Sequence, residues 1–110
     1  MKICFIHPPY SFDFEVMDKK LLKFYFKEGN ITPPLGICYL AAILEQQGHQ
    51  VAIIDANAKQ LTDESILARL SEFQPQILGI SILSHAYRLS IKLIQKIKAR
   101  FPQIRILVGG

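Results

Sequence analysis

The sequence predicts one α/β domain with four parallel strands in the order 2-1-3-4. Two observations lead there. Four short apolar runs recur along the 110 residues, and the gaps between them carry helical periodicity. The runs are continuous rather than alternating, as in parallel sheets covered on both faces. Repetition of strand, helix and strand with mostly short connections implies right-handed crossovers. The length allows one domain, and a hydrophobic content of 50% is ample for a core.

The first strand is Lys2–His7 (KICFIH), stopped by Pro8-Pro9. Val51–Asp55 and Ile77–Ile82 are the β-branched second and third, and Ile104–Val108 is the fourth. The first helix runs from Pro34 to Gln47, opening on proline and closing at Gly48. Its apolar positions Ile37, Leu40, Ala41 and Leu44 follow the 3.6 period, and Cys38 is placed on its sheet-facing side. Thr62 is the N-cap of the second helix, with Asp63 and Glu64 favouring the dipole of its first turn. Ile66, Leu67, Leu70 and Phe73 are its buried stripe before Pro75. The third begins near Ser84 and carries Leu89, Leu93, Ile97 and Phe101 up to Pro102. Among doubly wound folds this is a flavodoxin-like (Rossmann-like) three-layer arrangement. It stops at Gly109-Gly110 with no helix following, so residues 1–110 are expected to be an incomplete domain, truncated after strand 4.

One connection is long. Residues 8–32 join strand 1 to helix 1 and hold Phe12, Phe14, Phe24, Tyr25 and Phe26. Long loops inside compact domains are usually functional, and this one leaves the carboxyl end of a strand. A short amphipathic helix around Asp18 to Tyr25 is expected within it, and an aromatic flap on the sheet edge is the alternative.

Composition excludes several classes. No apolar run approaches the ~20 residues of a membrane span, and the MKICFIHPP start lacks the layout of a signal peptide. Cys4 and Cys38 make neither a zinc spacing nor a disulfide framework, so reduced core thiols and a cytoplasmic setting are expected. The net charge is +4. All nine acidic residues lie at or before Glu72, while six of the 13 Lys and Arg lie between Arg88 and Arg105. Arg88, Lys92 and Lys96 at i, i+4 and i+8 read as the wet face of a helix, without the aromatic or glycine pattern of a nucleic-acid surface.

In an open α/β sheet the ligand crevice lies where the strand order reverses, here between strands 1 and 3. A dinucleotide fingerprint, a Walker phosphate loop and the acids of a phospho-acceptor domain are all missing there. No Ser or Cys has a designated base, and His7, His49 and His85 are scattered. What remains is a set of small residues. Ser81-Ile82-Leu83 ends strand 3 and Gly109-Gly110 ends strand 4. The Ser81 hydroxyl can donate one hydrogen bond to a buried acceptor, and the glycines let a planar group lie against backbone.

Ser81-x-Leu83 followed by a Gly-Gly pair resembles the S-x-L…GG half of the cobalamin-binding signature. Pro8-Pro9-Tyr10, Pro33-Pro34-Leu35-Gly36, Tyr39-Leu40-Ala41, Gly48-His49-x-Val51 and Asp55-Ala56 resemble the N-terminal region of B12-dependent radical SAM proteins. The likeness covers nearly the whole chain and implies a cofactor, cobalamin, whose nucleotide tail enters the domain. It assigns cofactor-binding roles to Ser81, Leu83, Gly109 and Gly110, and more loosely to Pro8, Pro9, Tyr10 and Ser84. The D-x-H-x-x-G element that brings a histidine to cobalt is missing, which implies base-off, His-off binding. The C-x-x-x-C-x-x-C motif of a [4Fe-4S] cluster is missing too. The resemblance therefore implies that the cluster, S-adenosylmethionine and the chemistry of a methyltransferase or related enzyme belong to a radical SAM domain beyond residue 110. The rival reading is a flavodoxin-like interaction module without a cofactor, docked through the aromatic loop or the basic helix. The uncovered fourth strand is expected to pair with another copy of the chain.

Overall fold

The computed structural model describes residues 1–9 and 34–110. The aromatic loop, the helix expected at 18–25 and Tyr10 lie outside the described residues. The elements are β1 (Lys2–His7), α1 (Leu35–Gln46), β2 (Gln50–Asp55), α2 (Ala56–Lys59), α3 (Asp63–Phe73), β3 (Ile77–Ser81), a 3₁₀ turn (Ser84–Ala86), α4 (Tyr87–Arg100) and β4 (Arg105–Gly109). The four strands are parallel in the order β2-β1-β3-β4, as expected.

Local chemistry sets the helix ends. Thr62 Oγ1 accepts the Ser65 N–H at 3.2 Å and caps α3. Gly48 follows α1 at φ +90°, where side-chain-bearing residues are strained. The structure also adds α2, which sequence periodicity does not signal. It is one turn long, capped where the Asp55 carboxylate accepts the Ala58 N–H at 3.1 Å. The third helical segment opens with the 3₁₀ turn at Ser84 and becomes α-helical only at Tyr87.

Alternation along the strands sends side chains to two faces. Cys4, Ile6, Ile54, Leu78 and Ile80 meet Ile66, Leu70, Leu93 and Ile97 of α3 and α4 in one contiguous core. We call this the closed face. Each fully covered aliphatic side chain there stabilises the fold by roughly 1.5–3 kcal/mol. The other, open face carries Ile3, Phe5, Ile77, Gly79 and Leu107. There α1 packs on β2 and β1, burying Ile37 and Ala41.

Cys38 corrects an expectation. It is exposed, not sheet-facing. Neighbouring helical residues are turned ~100° apart, and Ile37 and Ala41 take the inward direction. Because α1 is apolar nearly all round, its periodicity does not single out a face. Leu40, expected inside, is 52% exposed for the same reason. Cys4 is fully buried as expected, and burial pushes its thiol pKa up to about 12. Lys92 and Lys96 lie on the wet side of α4 as read. Lys96 Nζ reaches Asp63 Oδ2 at 2.8 Å, a hydrogen bond that raises the lysine pKa.

Candidate functional site at the carboxyl edge of the sheet

Parallel strands bring all four carboxyl ends to one edge. Across that edge the last residues are Asp55 of β2, His7 of β1, Ser81 of β3 and Gly109 of β4, in spatial order. His7 and Asp55 are register partners, and His7 Nδ1 lies 3.2 Å from Asp55 Oδ1. The pair ties the central strand to its neighbour and to the cap of α2.

On the other side of β1, Ser81 pairs with Gly109, and the Ile82 N–H donates to the Gly109 carbonyl at 2.7 Å. Gly110 follows with φ +140°. A Cβ at Gly110 would collide with the Ile82 carbonyl oxygen, so glycine is required there. Gly109 differs. A Cβ added at Gly109 would meet nothing within 4 Å, so its missing side chain leaves free room.

That room belongs to a groove of about 710 Å³ on the open face. Phe5, Ile37, Leu40 and Leu107 form much of its wall, with Ser81, Gly109 and Gly110 at the carboxyl edge. Among the described residues that line it, Ser81 is the one with a polar side chain. The Phe5 ring lies directly over Gly79, its register partner on β3. A Cβ at Gly79 would approach Phe5 Cδ1 to 2.6 Å. A glycine inside a strand often marks such a close approach. Sequence reasoning missed this pair, because matching Phe5 to Gly79 requires the strand register. The only advance signal was a lone glycine in the ILGIS run.

The structure thus brings together Ser81, Gly109 and Gly110. Leu83 is 39% exposed and Ser84 is exposed, and neither lines the groove. Pro8 and Pro9 line a different, smaller cavity of about 180 Å³ with Asp63, Ser90, Leu93 and Lys96.

Comparison with known proteins decides the family. The B12 binding domain family matches residues 26–110. This chain belongs to that family. Among curated proteins it is similar to the anaerobic magnesium-protoporphyrin IX monomethyl ester cyclase of Synechocystis, at 30% identity over 112 residues, covering 100% of this chain and 20% of the relative. An uncharacterized methyltransferase of Pyrococcus horikoshii is 32% identical over 82 residues, covering 74% of this chain and 18% of its own length. A cytidylyl-2-hydroxyethylphosphonate methyltransferase of Streptomyces wedmorensis is 34% identical over 67 residues, or 46% of this chain and 12% of that protein. The chain therefore spans a fifth or less of the relatives it matches. No solved structure matches it significantly.

The residues present fit the family's cofactor. Gly109 leaves a gap, the groove continues it, and Ser81 offers one hydroxyl beside it.

Proposed function

We propose that this chain binds cobalamin base-off and His-off, with the nucleotide tail in the open-face groove beside Ser81, Gly109 and Gly110. The observation that carries this reading is the empty space at Gly109 next to the Ser81 hydroxyl, in a chain of the B12-binding family. Phe5 and Leu107 exclude water from the tail, and Ser81 orients it through one hydrogen bond. When bound, the corrinoid supplies cobalt as a carrier of reactive carbon groups. Support for His-off binding comes from the sequence after β1, where Pro8-Pro9-Tyr10 replaces D-x-H-x-x-G. His7, the nearest histidine to that position, is buried with Nδ1 held by Asp55.

A titration with hydroxocobalamin followed by absorbance tests both parts. Binding with a base-off spectrum is expected. No spectral change at saturation overturns binding, and a histidine-ligated spectrum overturns the His-off assignment. Ser81→Leu, which fills the tail space and removes the donor, is expected to weaken binding at least tenfold.

Radical SAM chemistry, with its cluster and S-adenosylmethionine, falls in this reading to a domain outside these residues. Two cysteines, one of them fully buried, do not make the three-cysteine set that chemistry uses. Residues 1–110 are expected to show no iron–sulfur absorbance after reconstitution and no cleavage of S-adenosylmethionine. Either signal would contradict this division of labour.

A further inference from the structure

We infer that the groove selects among corrinoids by the polarity of the tail base, favouring a benzimidazole over a purine. The inference rests on the cobalamin reading above and adds the class of corrinoid the site takes. Its starting point is the wall. Among the described lining residues, Phe5, Ile37, Leu40, Leu44 and Leu107 present carbon side chains to the groove, and Ser81 contributes the one side-chain hydroxyl. A benzimidazole attached through one ring nitrogen keeps one acceptor nitrogen, which one hydroxyl satisfies. An adenine tail of similar area adds an exocyclic amine and further ring nitrogens. Against a carbon wall these lose water and gain no partner. Unpaired buried polar groups are costly enough that two of them reduce affinity at least tenfold.

The floor supports the same selection. The Phe5 ring is seated on Gly79 with no room for a methyl group between them. Its position is therefore fixed by backbone, and it offers an aromatic surface for a flat apolar ring to pack against. Rejection of polar analogues by an apolar site is strong where their polar groups are buried unpaired, and weak where only size differs.

Equilibrium dialysis of the protein against four corrinoids, read by corrinoid absorbance, tests the inference. The four are cobalamin, an adeninyl cobamide, a phenolyl cobamide and cobinamide, which has no nucleotide tail. Cobalamin is expected to bind at least tenfold tighter than the adeninyl cobamide. The phenolyl cobamide, with no ring nitrogen, is expected to rank between them. Ser81→Ala is expected to weaken cobalamin several-fold and the phenolyl form less. Gly79→Ala, which drives the Phe5 ring from its seat, is expected to weaken cobalamin about tenfold while cobinamide affinity stays near its original value. That constancy also reports an intact fold. Equal affinity for cobalamin and the adeninyl cobamide overturns the inference and leaves tail binding standing. Tighter binding of the adeninyl than of the phenolyl form overturns it too, since size would then outweigh polarity. Cobinamide binding as tightly as cobalamin, or no corrinoid binding at all, overturns both the inference and the cobalamin reading beneath it.

Discussion

The two faces of the sheet are built from similar side chains and end in opposite states. On the closed face, Cys4, Ile6, Leu78 and Ile80 are buried under α3 and α4. On the open face, Leu107 is 64% exposed, and Leu40 and Ile43 of α1 are more than half exposed. Val108, which points to the other side of β4, is 59% exposed as well. Apolar residues left uncovered in a patch mark an interaction surface more often than an error of design. The difference teaches that hydrophobicity alone does not tell core from site. In this fold the covering helices do, and so does glycine placed where a side chain would have filled the gap.

The contrast is sharpest in stability. Leu70→Ala or Ile97→Ala is expected to cost about 2–5 kcal/mol in urea unfolding, because each removes a fully enclosed side chain and leaves a void. Leu107→Ala is expected to cost no more than about 0.5 kcal/mol, as surface substitutions do, while lowering cobalamin affinity. Similar costs on both faces would break the comparison.

A second test uses the closed face's own titratable group. The folded protein keeps the Cys4 thiol protonated up to about pH 12, whereas the unfolded chain ionises it near the ordinary 9.0. Folding stability is therefore unaffected by this group below pH 9.0. Above that value it falls by about 1.4 kcal/mol per pH unit until the folded thiol also ionises. Replacing the thiol in Cys4→Val is expected to flatten the urea midpoint against pH across that range. An unchanged alkaline slope in Cys4→Val would show that other groups dominate.

Milder still is the effect expected at the edge. β4 is the outermost strand of the sheet, and Arg105 is the one charge on it. Such an edge pairs readily with another strand. Light scattering at rising concentration is expected to show a dimer, and Leu107→Lys is expected to restore the monomer. A monomer at every concentration would mean that open-face exposure does not extend to strand pairing.

The smallest effect belongs to the Lys96–Asp63 pair on the solvent side of the closed face. The aspartate raises the lysine pKa, so the pair's contribution is complete below the lysine's ordinary 10.5 and is lost as pH rises beyond it. Exposed pairs contribute little. Lys96→Met is expected to leave the urea midpoint at neutral pH almost unmoved.

Much of this was legible in the sequence, for identifiable reasons. Pro8-Pro9, Gly48, Pro75 and Pro102 punctuate the chain, and the β-branched runs between them are too short for helices. The strand order followed from crossover handedness and the doubly wound pattern. That Ser81 and the glycine pair meet at one sheet edge was legible because small residues at adjacent strand ends stand out. Less visible were features that depend on a partner distant in sequence. The α2 turn rests on Asp55, which also holds His7 across the sheet. The Phe5–Gly79 contact rests on register. Cys38 was misplaced because a helix apolar on most sides gives period analysis no contrast.

The position of β1 has a consequence for how the protein is made. Of the four strands of this sheet β1 is made first, yet it lies inside the sheet, between β2 and β3. Its His7 waits for Asp55, 48 residues later, and Lys2 waits for Gln76, 74 residues later. Until β2 is made, the KICFIH segment, five of its six residues uncharged, has neither of its partner strands beside it. Such delayed, non-local pairing slows folding and leaves nascent chains vulnerable to association. The central strand that makes the finished sheet continuous is thus the segment most dependent on protection during synthesis.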